Sequence, residues 1–104
     1  MLDFIRIATA VPNVKVGEVK TNAREICSWM EKADAQNADV ILFPELALTG
    51  YTCGDLFFQQ VLTDGALAGL SQVVSCSAAY PAVAAVVGLP VWVEGSLYNC
   101  AAVI

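Results

Sequence analysis

The sequence predicts an α/β fold with elements in the order β-α-β-α-β-β, and three observations predict it. Val40-Ile41-Leu42-Phe43 and Ala82 to Leu89 are continuous apolar runs rather than alternating ones, as in strands buried on both faces of a parallel sheet. Between the β-rich run Phe4 to Val11 and the first of these lies a set of apolar residues at helical spacing, which makes a β-α-β unit. The chain is also 58% hydrophobic and only 14% charged over 104 residues, against averages of about 45–50% and about 25% in soluble domains. That excess suits one layer of a larger protein whose other layers cover it. No apolar run approaches the ~18 residues of a membrane-spanning helix. The richest stretch, Ala78 to Val93, is broken by Pro81, Gly88 and Pro90.

The first strand, Phe4 to Val11, ends at Pro12, which cannot continue a central ladder. Asn13 to Val19 reads as a loop turning at Gly17. Asn22 and Glu25 stand at the capping-box interval and predict a helix start. Ala23, Ile26, Cys27, Met30 and Ala33 then form one apolar face, with Arg24, Glu31, Lys32 and Gln36 on the polar side and Asn37 as the stop. The second strand is Ala38 to Phe43, followed by a loop from Leu46 to Asp55. Leu56 to Ala79 has an approximate helical period through Phe57, Val61, Leu67, Leu70, Val73 and Val74. Gly65 and Gly69 weaken it and predict a break near Thr63 or Asp64. The third strand, Ala82 to Leu89, is expected to stop at Pro90. Val91-Trp92-Val93, a turn at Glu94-Gly95 and Leu97 to Ile104 predict an antiparallel hairpin. The chain stops inside that last strand-like run, as a domain cut before its end does.

Ten acidic and five basic residues leave a net charge of −5. No basic stripe is available to neutralise phosphates, so nucleic-acid binding is not expected. Leu2-Asp3-Phe4-Ile5-Arg6 offers neither a basic n-region nor a long apolar segment, and the expected location is cytoplasmic. Cys27, Cys53, Cys76 and Cys100 lack CxxC spacing and are expected to be free thiols. The absence of histidine removes Ser-His-Asp, Cys-His and histidine-based zinc chemistry from these residues, and no metal is expected. Chemistry here must run on carboxylate, lysine, cysteine or hydroxyl groups.

Glu45 is the leading candidate for a catalytic group. It stands just past the apolar run Val40 to Pro44, and reactive groups in parallel α/β sheets collect at the carboxyl ends of strands. Apolar neighbours are expected to desolvate its carboxylate and favour the protonated form, as suits a general base near neutrality. The bland alternative is a solvated loop glutamate beside a proline. Asp55 is a candidate helix cap, Asn99 is expected to bond a neighbouring backbone group, and Trp29 and Trp92 read as packing or subunit-contact residues. The Gly50/Gly54 pair lacks a dinucleotide fingerprint.

The string Phe43-Pro44-Glu45-Leu46-Ala47-Leu48-Thr49-Gly50-Tyr51 resembles the first signature of the nitrilase (carbon–nitrogen hydrolase) superfamily. Arg6-Ile7-Ala8 is similar to that family's first strand, Val87-Gly88-Leu89-Pro90 to its third, and Leu97 to Ile104 to the strand preceding its catalytic lysine. Within the superfamily, Gly50-Tyr51-Thr52-Cys53-Gly54-Asp55-Leu56-Phe57 most resembles the amino-terminal glutaminase domains of glutamine-dependent NAD⁺ synthetases. The resemblance implies an α-β-β-α sandwich, of which residues 1–104 are the amino-terminal portion, and a homo-oligomer. It implies hydrolysis of glutamine by a Cys-Glu-Lys site, the ammonia then amidating an adenylylated nicotinate dinucleotide. By position Glu45 matches the glutamate, while the lysine and nucleophilic cysteine lie beyond Ile104, so the chain alone is expected to be inactive. Lys15, Lys20 and Lys32 stand in other contexts, and Cys53 and Cys100 read as small packing residues. Tyr51 is a candidate for the substrate pocket or the ammonia exit, with packing beneath the loop as its alternative. The resemblance places ATP and Mg²⁺ in a synthetase domain outside this chain, and no cofactor within it. A stand-alone amidase or carbamoylase and a non-catalytic α/β assembly module are the competing readings.

Overall fold

The computed structural model describes residues 4–50, 54 and 59–104. Three parallel strands and one antiparallel strand form a single sheet. Ile7–Thr9 (β1) pairs with Val40–Leu42 (β2), which pairs with Ala84–Val93 (β3), and β3 turns back into Ser96–Val103 (β4), giving the order β1-β2-β3-β4. Val19–Ala35 (α1) and Gln60–Ser77 (α2) connect the parallel strands. The order β-α-β-α-β-β is the expected one, though β1 and β2 are shorter than their apolar runs.

Side chains alternate across a sheet, and here the alternation separates two very different faces. Ala8, Ile41 and Ala85 are aligned in register, and with Val87 and Leu89 they lie in one core with Ala23, Ile26, Met30 and Ala33 of α1 and Leu62, Ala66 and Val73 of α2. The other face carries Ile7, Leu42 and Val103, all exposed. Among the described residues, helices cover one side of the sheet only. The high apolar content therefore has a location: it is split between a core and a bare sheet face.

Helix α1 does not begin at Asn22. Glu18 occupies the N-cap without a side-chain cap bond, and Asn22 is a buried residue of the first turns. The reason is long-range: its amide is engaged with other segments, described below. The C-terminal end follows the expectation. Asn37 adopts φ 59°, its N–H donates to Asp34 and that of Ala38 donates to Ala33, the paired bonds that close a helix through a left-handed residue. Arg6 Nη1 donates to the carbonyl of Gln36 at 2.7 Å, placing a cation where the helix dipole is negative.

The expected break in α2 is absent, and the helix runs unbroken from Gln60 to Ser77. Gly69 is a packing device. A Cβ built at Gly69 would collide with Val19 Cγ1 of α1 and stand 3.4 Å from Leu48 Cδ2, and one at Gly65 would stand 3.9 Å from Val19 Cγ2. Side-by-side helices also bring Cys27 and Cys76 together, with Cα atoms 6.2 Å apart, and the two are disulfide-bonded. This corrects the expectation of free thiols: 49 residues separate the pair, so no local spacing reveals it.

The third strand continues through Pro90 instead of stopping there. Ala85 and Ile104 exchange both backbone bonds, so alternation makes Pro90–Asn99 a non-hydrogen-bonded pair of the β3–β4 ladder. The nitrogen of Pro90 therefore faces the β2 side, where β2 has already ended opposite Val86. No ladder bond is lost, and the proline is tolerated. The hairpin closes at Glu94 (φ 50°) and Gly95 (φ 82°), the left-handed pair of a type I′ turn, as expected.

The α1–α2 contact generates a test. Gly69→Val should lower stability by about 2 kcal/mol through overpacking against Val19. In a Val19→Ala background the same substitution should cost less than half as much, read from urea unfolding midpoints.

Candidate active site

Strand β2 delivers Glu45 to its position through a short, tightly specified turn. After Leu42 the chain stays beside β3 for one more bond, Phe43 N–H to the Val86 carbonyl at 3.2 Å. Pro44 then ends the pairing. Leu46 adopts φ 54°, a left-handed conformation that costs an L-residue roughly 1–2 kcal/mol. Its carbonyl accepts from the N–H groups of Thr49 (3.1 Å) and Gly50 (2.8 Å), and Leu48 N–H donates to the Gly88 carbonyl at 3.2 Å. Leu46, Ala47 and Leu48 are all buried, which offsets the local strain.

Gly88 is what lets this turn lie against the sheet. A Cβ built there would run into the backbone nitrogen of Leu46 and stand 3.2 Å from both the Glu45 carbonyl carbon and the Leu46 Cα. A second brace comes from the loop before α1. Asn22 Oδ1 accepts from Lys15 N–H at 2.8 Å, while its Nδ2 donates to the carbonyls of Lys15 (2.8 Å) and Leu48 (3.0 Å). Gly17 N–H adds a bond to the Thr49 carbonyl at 2.7 Å. Asn22, at 1% exposure, thus ties two loops to one helix.

The Glu45 side chain is exposed, so the expected desolvation by the apolar run is not present. The run buries the turn beneath Glu45 and leaves its carboxylate outside. Glu45 Oε1 accepts a hydrogen bond from Asn99 Nδ2 of β4. This corrects the expectation that Asn99 serves a neighbouring backbone group. By register and alternation, Asn99, Pro90, Gly88 and Ala101 share the sheet face turned away from the helices. Cys100 lies on the opposite face, half-buried against the core, which fits its reading as a packing residue. Depressions of about 350 Å³ and 200 Å³ flank the pair. Pro12, Val14, Glu45 and Leu46 line the first, and Pro90, Tyr98 and Asn99 the second. A larger cavity of about 680 Å³, between the start of α1 and α2, is lined by neither Glu45 nor Asn99.

Tyr51, Cys53 and Asp55 lie outside the described residues. Trp29 packs at the edge of the core with Lys32 Nζ 4.1 Å from its ring centroid, and Trp92 is exposed on β3. Asn99 and Gly88 are the residues of the site that spacing does not single out. The sequence reading places both in strands, and what links them to Glu45 is that each belongs to one arm of a hairpin whose strands face each other.

A carboxylate presented past the end of a parallel strand, on a four-stranded α/β sheet, belongs to a defined class of fold. Residues 6–104 match the carbon–nitrogen hydrolase family, and the chain belongs to that family. It is 41% identical over 106 residues to a glutamine-dependent NAD(+) synthetase of Xylella fastidiosa, a match covering 100% of this chain and 19% of the relative. The structure of a glutamine-dependent NAD⁺ synthetase from Acinetobacter baumannii superposes with a TM-score of 0.87 at 28% identity, over 96% of this chain and 18% of that one. An amidase from Nesterenkonia sp. shares the fold, with a TM-score of 0.77 at 22% identity over 95% of this chain and 37% of that one. The chain thus spans about a fifth of the length of the synthetases it matches.

The buried amide bracket leads to a measurement. Asn22→Ala leaves three backbone groups without their partner and should lower stability by about 2–4 kcal/mol in urea unfolding. Asn22→Asp should cost at least as much, because its carboxylate meets two carbonyls where donors are required.

Proposed function

We propose that these residues form the amino-terminal part of the glutaminase domain of a glutamine-dependent NAD⁺ synthetase, and that Glu45 is its general base. The observation that carries this reading is Glu45 itself. It leaves the carboxyl end of β2 on a braced turn, in a chain similar along its whole length to such synthetases. Self-association and a cytoplasmic location, both expected from the sequence and the resemblance, belong to the same reading. Among the described residues no helix is long and apolar enough to cross a membrane.

In this reading a cysteine from outside these residues supplies the nucleophile and a lysine supplies the oxyanion's partner. Glu45 takes the thiol proton as sulfur bonds to the glutamine carboxamide carbon. Collapse of the tetrahedral adduct breaks the C–N bond, and the proton returns to nitrogen, which leaves as ammonia. Glu45 then takes a proton from water as its oxygen attacks the thioester carbon; the C–S bond breaks, glutamate leaves, and Glu45 passes the proton to the departing sulfur, which restores the thiol and the carboxylate. The ammonia would amidate a nicotinate dinucleotide elsewhere in the whole protein. ATP and Mg²⁺ would serve that second half-reaction. Among the described residues no glycine-rich turn joins a strand directly to a helix N-terminus, and we assign neither group a site here. Tyr51 is kept as a candidate wall of the glutamine pocket.

The test is Glu45→Gln in the intact protein, with two nitrogen donors. Glutamate release from glutamine should fall by roughly 10²–10⁴-fold, while synthesis from ammonia supplied in solution stays near the wild-type rate. Glutamine hydrolysis at the wild-type rate would refute the assignment. The ammonia arm separates this reading from a stand-alone amidase, which has no such synthesis to retain.

A further inference from the structure

We propose that Asn99 is a positioning residue for Glu45: it holds Oε1 so that Oε2 is the atom left to accept the proton. The inference rests on the general-base reading of Glu45 above and adds the group that makes that base competent.

Glutamate has three side-chain torsions, and an exposed one samples many rotamers. Fixing such a side chain costs up to about 2 kcal/mol of entropy, which something must offset at the moment of reaction. Burial does not restrain this carboxylate, since Glu45 is exposed. The hydrogen bond recorded to it comes from Asn99, 54 residues further along the chain. Asn99 is itself well placed to act as a fixed post. It sits opposite Pro90 in an eight-pair antiparallel ladder, between the pairs Leu89–Cys100 and Val91–Tyr98. Gly88, two residues before Pro90 on the same face, seats the Glu45–Leu46 backbone. Backbone and carboxylate of Glu45 are therefore both referenced to one hairpin, at Gly88 and at Asn99 respectively.

The chemistry of an amide suits this role. Asparagine donates to a carboxylate without neutralising it, so Glu45 stays an acceptor-only anion with one oxygen satisfied. A lysine or arginine there would compete for the proton-accepting oxygen and weaken the base.

The experiment measures kcat and KM for glutamine hydrolysis in the intact protein carrying Asn99→Ala, Asn99→Asp or Glu45→Gln. Asn99→Ala should lower kcat by about 10- to 100-fold with KM within about twofold, the signature of a misplaced catalytic group. Asn99→Asp is close to isosteric at an exposed position, so it should fold, and with no N–H to donate its kcat should fall at least as far. Synthesis from added ammonia should be unchanged in both. A wild-type kcat in Asn99→Ala or in Asn99→Asp would overturn the proposal. If that happens while Glu45→Gln is inactive, Asn99 is not the positioning residue and the general-base reading stands. If Glu45→Gln retains glutamine hydrolysis, the base is misassigned and the role of Asn99 falls with it.

Discussion

The close approach of the Glu45–Leu46 backbone to Gly88 is the constraint from which the rest of the site follows. A side chain at position 88 would occupy the space of the Leu46 nitrogen, so the turn could not rest on β3. With the turn seated there, Leu48 can donate to the Gly88 carbonyl and bury its side chain in the core, and Leu46 can be held left-handed. The carboxylate then emerges on the sheet face away from the helices, within reach of Asn99. Strain at Leu46 and exposure of Glu45 are both consequences of this one contact.

The two faces of the sheet explain how such a piece serves function. One is closed by α1 and α2, which interlock through Gly69 and Val19 and are joined by Cys27–Cys76. That side is a rigid base for the strands. The other is apolar, exposed, and carries Glu45 and Asn99. The carboxylate and the exposed apolar side chains thus share one face, and the desolvation expected from the β2 run is not supplied by that run. The run itself serves to anchor the turn.

Local patterns in the sequence read the elements well because they depend on neighbours. The apolar spacing of α1, the uninterrupted run of β2, the Glu94-Gly95 turn and the stop at Asn37 are all set within a few residues. The α/β class came from the same kind of signal, and so did the choice of Glu45, whose catalytic role belongs to the proposed function. Features that depend on distant partners were illegible or misread. Asn22 resembled a cap, yet its amide serves Lys15 and Leu48. Gly65 and Gly69 resembled helix breakers, yet α2 runs through both, and Gly69 makes room for Val19 of α1. Pro90 resembled a strand stop, because nothing local tells that β2 ends before it. Asn99 could not be linked to Glu45, nor Cys27 to Cys76, without the fold that brings them together.

The most direct test of this account is the glutaminase rate of Gly88→Ala in the intact protein, measured beside its ammonia-supported synthesis. A methyl group at this position meets the Leu46 nitrogen, the Glu45 carbonyl carbon and the Leu46 Cα, so it acts by displacing the Glu45 turn. The account predicts a fall of about 100-fold in glutamate release, with synthesis from ammonia preserved. Wild-type glutamate release by Gly88→Ala would contradict it.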